Sequence, residues 1–410
     1  MKLAVLCPHF APDVAPTGEV ITRIVHELAA RGHELDIVTA LPWYLHHEVE
    51  PDYRGRLVRR EKTSWGRITR VHPFPTDKTD IPRRALAFAG FSALAGVTGL
   101  LGGKVDGVLA MSPPLTLGLT GWAMSVVRRG PLVFNIQDVF PDVAIEVGAI
   151  KSKPIIAAAQ WLERVSYARS AAVTVLSDDL RDNIVAKLKP RQRHKARVIP
   201  NFVDTEFIEP GPRLNDYRRE LGLGDRTVVM YAGNIGFSQS LELMIEAAKA
   251  FAARSDVVFL INGGGSARAD LEEQAKALDN VVFADLQPKP RLPEVLATGD
   301  IHVVPLRRGL ARSSVPSKTY SILAAGRPLV ASVDPGTEVA RVAETSGAGL
   351  AVPPEDPDAF IKALGVLLDA PERRQSMGIA GRAFVEQWAS PAAVAEAYEK
   401  LFEELIQARR

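Results

Sequence analysis

Apolar and polar positions along this chain follow two periods, and the two periods take turns. Residues 2–10, KLAVLCPHF, form the unbroken apolar run of a strand buried on both faces. TGEVITRIVHELAARGH follows with apolar side chains at helical spacing and a glycine stop, and ELDIVTA is the next run. Strand, helix and strand in that order make a βαβ unit. GVLAMS, LVFNIQD, AAVTVLS and ARVIPN predict further strands, with helical stretches between several of them. The second half alternates in the same way, with TVVMYAGNIG, a helix over SLELMIEAAKAFAAR, VVFLINGGG, a helix over ARADLEEQAKAL, then VVFADL, IHVVPL, PLVASV and GLAVP. The predicted fold class is α/β, with two doubly wound parallel sheets.

Between the halves, VIPNFVDTEFIEPGP breaks both periods with Pro-Asn and Pro-Gly-Pro, which puts a linker near Pro200 to Pro212. The expected organisation is a first domain over residues 1–200, a second over 201–385 and a helical segment over 386–410. Pro391 interrupts that last segment and lets it turn back toward the first domain.

ALAFAGFSALAGVTGLLGG, residues 85–103, is uncharged and approaches the length of about 20 apolar residues that spans a bilayer. It is rich in Ala and Gly, and the strand after it must rejoin a sheet. A helix that is buried, or docked on a surface, is therefore expected rather than a span. The preceding RGRLVRREKTSWGRITR and the pair Trp43-Tyr44 offer basic and aromatic residues suited to a lipid headgroup layer, with an ordinary solvated loop as the equal alternative.

Composition changes the picture little until it is split. The 410 residues suit two domains, and one cysteine, Cys7, allows no intrachain disulfide, which fits a reducing compartment. The N-terminal apolar run is too short for a secretory signal before Pro8, His9 and Asp13, so a cytoplasmic chain is expected. The net charge is +2, but residues 1–200 carry 27 Lys and Arg against 19 Asp and Glu (+8), while the remainder carries 23 against 29 (−6). A basic first half points to an anionic partner such as a membrane surface or a lipid phosphate. Nucleic acid is disfavoured, because the basic stretches lack regularly interleaved aromatics and no known module appears.

Ligands of open α/β sheets sit beyond the carboxyl ends of the strands. His9, Thr17 and Gly18 follow the first strand, and Gln137, Asp138 and Asp142 follow LVFNIQ. Gly233, Asn234 and Gly264 lie in strand-to-helix turns whose glycines let backbone amides line a nucleotide, without spelling a Rossmann fingerprint or a Walker loop. Arg307, Arg308, Arg312 and Lys318 cluster with Ser313, Ser314 and Ser317 around a helix start, a setting suited to a pyrophosphate. The eight histidines show no metal-ligand spacing, so no metal site is expected.

FAPDVAPTGEVITRIVHELAARGHELDIVT, QDVFPD, VIPNFVDTEF, YAGNIGFSQSLELMIEAA and VPSKTYSILAAGRPLVAS, in that order, resemble the family-4 glycosyltransferases and, more narrowly, their bacterial surface-polysaccharide, fucosaminyltransferase-like branch. The resemblance covers the whole chain. It implies the GT-B fold, two Rossmann-like domains facing a cleft, and transfer of a sugar from a nucleoside-diphosphate donor. A UDP-sugar is favoured, the acceptor is a glycan or lipid-linked glycan, and transfer proceeds with retention and without metal or other cofactor. The acceptor would lie on the first domain (His9, Thr17, Gln137). The donor would be held by Gly18, Gly233, Asn234, Gly264, Arg312, Ser313, Ser317, Lys318 and Ser321, with Asp138 and Lys318 catalytic. The enzyme would sit peripherally on the inner face of the cytoplasmic membrane.

The chain departs from the family pattern where it matters most. The usual Gly-Arg and downstream Lys for the phosphates read Gly233-Asn234 and Gln239. The two glutamates fall on Ser313 and Ser321, and the His-Asp pair reads Gln137-Asp138. On this reading Lys318, helped by Arg312 or the neighbouring arginines, replaces the missing cations. A nucleotide-sugar epimerase, which would release a free altered sugar, and a binding protein without catalysis are the competing readings. Product analysis with and without acceptor separates transferase from epimerase, and donor binding without hydrolysis or transfer across a broad acceptor panel marks the binding protein.

Overall fold

The computed structural model describes residues 1–75, 81–142, 145, 150–309 and 318–409. The chain divides into two compact units, Met1–Asn201 with Pro391–Arg410, and Phe202–Ser390. Residues 386–390 thus belong to the second unit, and the segment joining the first begins at Pro391 rather than at 386. Each unit is a mostly parallel sheet with helices on its faces, so both are Rossmann-like.

The first unit's sheet runs β3-β4-β2-β1-β5-β6-β7-β8, with β1 Lys2–Leu6, β2 Glu34–Ala40, β3 Val58–Thr63, β4 Gly66–Val71, β5 Gly107–Ser112, β6 Leu132–Ile136, β7 Ala172–Val175 and β8 Ala196–Val198. Val5 of β1 pairs with Ile37 on one side and Leu109 on the other, so the strand order reverses at β1. That reversal opens a crevice at the carboxyl ends of β1 and β5. The helix Pro16–Ala30 takes proline in its first turn and buries Ile21, Ile24, Val25 and Leu28, one face at helical spacing. Each such side chain contributes about 1.5–3 kcal/mol of burial.

Helices Ile81–Leu100, Leu117–Arg128 and Lys153–Arg169 share one core, through Phe91, Ala95, Leu117, Met124 and Tyr167. The helix Pro391–Gln407 packs with Pro16–Ala30, and its buried Tyr398 takes an amide hydrogen of Asn135 at 2.8 Å. Among the described residues no helix is long and apolar enough to cross a membrane.

The basic stretch before that apolar segment departs from expectation. It is not a loop but the antiparallel hairpin β3–β4, which places its charges at the margin of the sheet. Arg70 is 2% exposed, bonds the Ala11 carbonyl at 2.6 Å and pairs with Glu61, while Arg67 forms a two-pronged pair with Asp36 at 2.7 Å.

The second unit's sheet is wholly parallel in the order β11-β10-β9-β12-β13-β14, with β9 Thr227–Ala232, β10 Val257–Asn262, β11 Val281–Ala284, β12 Ile301–Pro305, β13 Leu329–Ser332 and β14 Gly349–Val352. Its order reverses between β9 and β12, so their carboxyl-end turns flank this unit's own crevice. All these strands are rich in Val, Ile and Leu, and four of the six bury every residue or all but their ends.

Candidate functional site

In the second unit the turn after β9 and the helix after β12 meet around one ammonium. Lys318 opens the helix Lys318–Ala324, which is anchored by buried Thr319, Tyr320, Ile322 and Leu323. Its Nζ donates to Tyr231 Oη at 2.7 Å and lies 4.0 Å from the centre of that ring. Tyr231 in turn donates to the Asn234 carbonyl at 2.5 Å. A β-carbon on Gly233 would stand 3.0 Å from Nζ, and Gly233 has φ of +141°, so only glycine lets the turn pass this close. Burial depresses the Lys318 ammonium to about 8. Among the described residues it has no carboxylate partner, which leaves a desolvated positive charge at the end of the switch-point strands.

The glycines of the next turn hold this geometry. Ile235 N donates to Gly264 O at 2.9 Å and Ala267 N to Ile235 O at 3.0 Å, which ties the β9 and β10 turns together. Gln239 caps the amide of Gly236 at 3.1 Å. Gly264 and Asn234 are exposed at the rim, and Ser321 is half-buried on the Lys318 helix.

In the first unit a cavity of about 310 Å³ opens at the carboxyl ends of β1 and β5 and is lined by His9, Thr17, Trp43, Phe88, Phe91 and Asp138, among others. Asp13 accepts from His9 Nδ1 at 2.6 Å, and the same carboxylate takes the amide of Tyr44 at 3.0 Å. With Nδ1 as the donor to Asp13, Nε2 is the ring atom that can accept a hydroxyl proton. His9 also stacks on Trp43, with centroids 5.7 Å apart, and meets the edge of Tyr44 at 5.3 Å. Trp43 and Tyr44 therefore line this cavity. Asp138 shows its side chain to solvent but sits among enough protein that desolvation raises its carboxyl above the usual aspartate range.

Other residues singled out from the sequence do different work. Gly18 lies under His9, where a β-carbon would come 2.8 Å from that of His9, so it seats the helix against the turn. Gln137 is buried, donates to Asn135 at 2.7 Å and accepts from Asn201 at 2.8 Å, so both ends of its amide are engaged inside the unit. Asp142 pairs with Lys187 at 2.8 Å. Arg307 is held by Glu242 at 2.7 Å, Glu355 at 3.2 Å and the Phe237 carbonyl at 2.6 Å, and Arg308 bonds the Pro354 carbonyl. Arg312, Ser313, Ser314 and Ser317 lie outside the described residues.

Tyr231 and Asp13, the partners of the two central groups, were not expected from the sequence. A tyrosine two residues before the turn glycine, and an aspartate four after the histidine, were the available signals. Among the described residues no group of three His, Cys, Asp or Glu side chains is placed to hold a metal. His302 is a core residue, fully buried and bonded to the Leu296 carbonyl at 2.9 Å.

Two α/β units with mostly parallel sheets, each with a switch-point crevice, have the two-Rossmann-domain architecture of the GT-B glycosyltransferases. Residues 17–201 match the model of the glycosyl transferase 4-like domain, and residues 226–370 match that of glycosyl transferases group 1. The chain belongs to the family-4 glycosyltransferases. It is 27% identical over 383 residues to a protein of Escherichia coli K12 assigned to colanic acid biosynthesis as the glycosyl transferase WcaI, covering 91% of this chain and 93% of that one. Its fold is similar to that of sucrose-phosphate synthase from Thermosynechococcus elongatus, with a TM-score of 0.67 and 18% identity over the whole of both chains. It is also similar to HepE from Anabaena, solved in complex with UDP, with a TM-score of 0.66 and 14% identity over 98% of this chain and all of the other.

Proposed function

We propose that this glycosyltransferase moves a sugar from a nucleoside-diphosphate donor, a UDP-sugar by preference, to a lipid-linked glycan at the inner face of the cytoplasmic membrane. The reaction serves cell-surface polysaccharide synthesis, retains the anomeric configuration and needs no metal. The observation that carries this reading is Lys318: a desolvated ammonium beside the β9 turn, bonded to a phenol and lacking a carboxylate partner among the described residues. A diphosphate supplies the missing counter-charge, and it gains more negative charge as the glycosidic bond breaks, so the ammonium stabilises the leaving group. The relative in colanic acid biosynthesis and the UDP-bound neighbour support the donor class and the pathway class.

A retaining transfer can run by departure and attack on one face of the sugar, with the donor phosphate taking the acceptor proton. It then requires positioning more than a protein nucleophile. In this reading His9, oriented by Asp13, and Thr17 hold the acceptor hydroxyl, and Asp138 orients the sugar. Arg312, Ser313 and Ser317 complete the phosphate site with Gly233, Asn234 and Gly264, and Ser321 meets the ribose.

The lipid preference rests on exposed apolar side chains over three helices that share a core: Leu86, Val97, Val126, Val127, Ile155 and Trp161. They stand on the unit whose residues 1–200 carry the +8 charge, and apolar anchors with basic neighbours favour an anionic bilayer. Thermal-shift screening of nucleoside-diphosphate sugars tests the donor: stabilisation by UDP-sugars that disappears in a folded Lys318→Ala variant is expected. An unchanged shift in that variant rejects the site. Flotation with vesicles of anionic lipid tests the surface, and absence of lipid association at both low and high salt rejects it.

A further inference from the structure

The second unit carries another cavity, at the opposite edge of its sheet, lined by arginines in excess over carboxylates. It measures about 810 Å³ and is bordered by Thr227, the first residue of β9, by Asp300 just before β12 and by Pro328 just before β13. The Lys318 site lies instead at the carboxyl ends of β9 and β12, so the two are separated by the length of the strands. Four arginines line this second cavity: Arg213, Arg327, Arg374 and Arg382.

Their partners divide them into two pairs. Arg213 donates to Asp300 at 2.7 Å and also pairs with Asp225, and Arg382 pairs with Glu386 at 2.6 Å. Asp300 is already shared: it also takes the buried Arg218 at 2.7 Å and the Val228 amide at 2.8 Å. Among the described residues, Arg327 and Arg374 bond main-chain carbonyls alone. One amino group of Arg327 bonds Gly211 O at 2.8 Å and Ala297 O at 2.7 Å, and one of Arg374 bonds Leu367 O at 2.6 Å and Leu368 O at 3.0 Å. Carbonyl capping uses a single nitrogen of each guanidinium. The Nε–H of Arg327 is buried with no hydrogen-bond partner among the described residues, although buried polar groups are almost always satisfied.

We propose that this cavity is a second anion site, which binds a small multiply charged phosphate between Arg327 and Arg374. Planar guanidinium forks suit phosphate oxygens, and a dianion or higher supplies the counter-charge that carbonyls cannot. Burial lowers the proton affinity of both arginines, and the Asp300 carboxylate offsets part of that. Neighbouring arginines (Arg218 and Arg213 for Arg327, Arg213 and Arg254 for Arg374) lower it further; a bound anion adds to the effect of Asp300. Gly211, one of the carbonyls that Arg327 holds, belongs to the Pro-Gly-Pro segment ending the linker region. Occupancy therefore stiffens the start of the second unit along with its helix Pro371–Trp388.

Calorimetric titration of the full chain carrying Lys318→Ala with inorganic pyrophosphate tests the site. Saturable binding is expected, and Arg374→Gln or Arg327→Gln weakens it by about tenfold or more. Gln375, exposed on the cavity wall, bonds no capping carbonyl; Gln375→Glu adds a carboxylate there and also weakens binding by about tenfold without touching the caps. The Gln375 result does not depend on Lys318 holding the donor, so failure of that reading leaves this one testable. Absence of saturable pyrophosphate binding at millimolar concentration, or binding that Gln375→Glu leaves unchanged, overturns the proposal.

Discussion

The two carboxyl-end crevices use the same backbone device in opposite ways. In the second unit the turn after β9 has glycine where it passes Lys318, and one ammonium is brought in from the helix after β12. In the first, the turn after β1 is thick with side chains: His9 is clamped by Asp13 and framed by Trp43 and Tyr44. A bare turn favours a ligand that brings its own charge and bonds to backbone. An aromatic, hydrogen-bonding pocket favours an uncharged, hydroxyl-bearing one. The difference is chemically what a donor bearing a diphosphate and an acceptor bearing a sugar hydroxyl require.

Removing the ammonium strains this contrast most. Lys318→Ala is expected to lower kcat by about 100- to 1000-fold, the range for losing one preorganised charge donor, while circular dichroism stays native. A folded variant with near-normal turnover ends the assignment. The pH dependence comes next in size. Lys318 titrates at about 8, so the charged form dominates below that value and is lost above it. Donor affinity measured by titration should be flat up to about pH 8 and then fall toward about tenfold per unit. Lys318→Arg, which stays charged, should remove the break.

On the first unit, His9→Gln is expected to raise KM for the acceptor by about tenfold with donor Kd unchanged, as for loss of one oriented hydrogen bond. An equal effect on both ligands would show that the two crevices do not divide the work. The smallest effect is structural. Gly233→Ala forces a side chain into φ of +141° and against Nζ, and should cost about 1–3 kcal/mol in chemical denaturation. A neutral result would mean that the turn has room to move.

Much of the fold was legible because buried parallel strands are written as apolar runs. KLAVLC, ELDIVTA, GVLAMS, TVVMYA and VVFLIN each became a strand near where the run predicted it. The hairpin β3–β4 was not legible, since VRREKT is mostly charged, GRITRV carries two arginines, and together they resemble a solvated loop. Strands at a sheet margin need apolar residues on one face at most, so their pattern is weak. Of the site, Lys318 and His9 stood out by type and position. The partners of Gln137 were not legible, because an amide at a strand end looks the same in sequence whether or not it bonds Asn135 and Asn201 inside the unit, as here.

Periodicity and chemistry were fixed by the order of residues alone: which segments can be strands or helices, where glycine and proline break them, and which few ionisable groups fall at strand ends. Local preference and solvent exclusion act residue by residue, so that information is carried in the order of side chains. Which charges are cancelled was settled by folding. Arg307 lies in the same basic run as Lys318, yet Glu242 and Glu355, distant in sequence, neutralise it, while Lys318 meets a phenol. Pairing depends on distances of a few ångströms between elements far apart in the chain, and no periodicity records them.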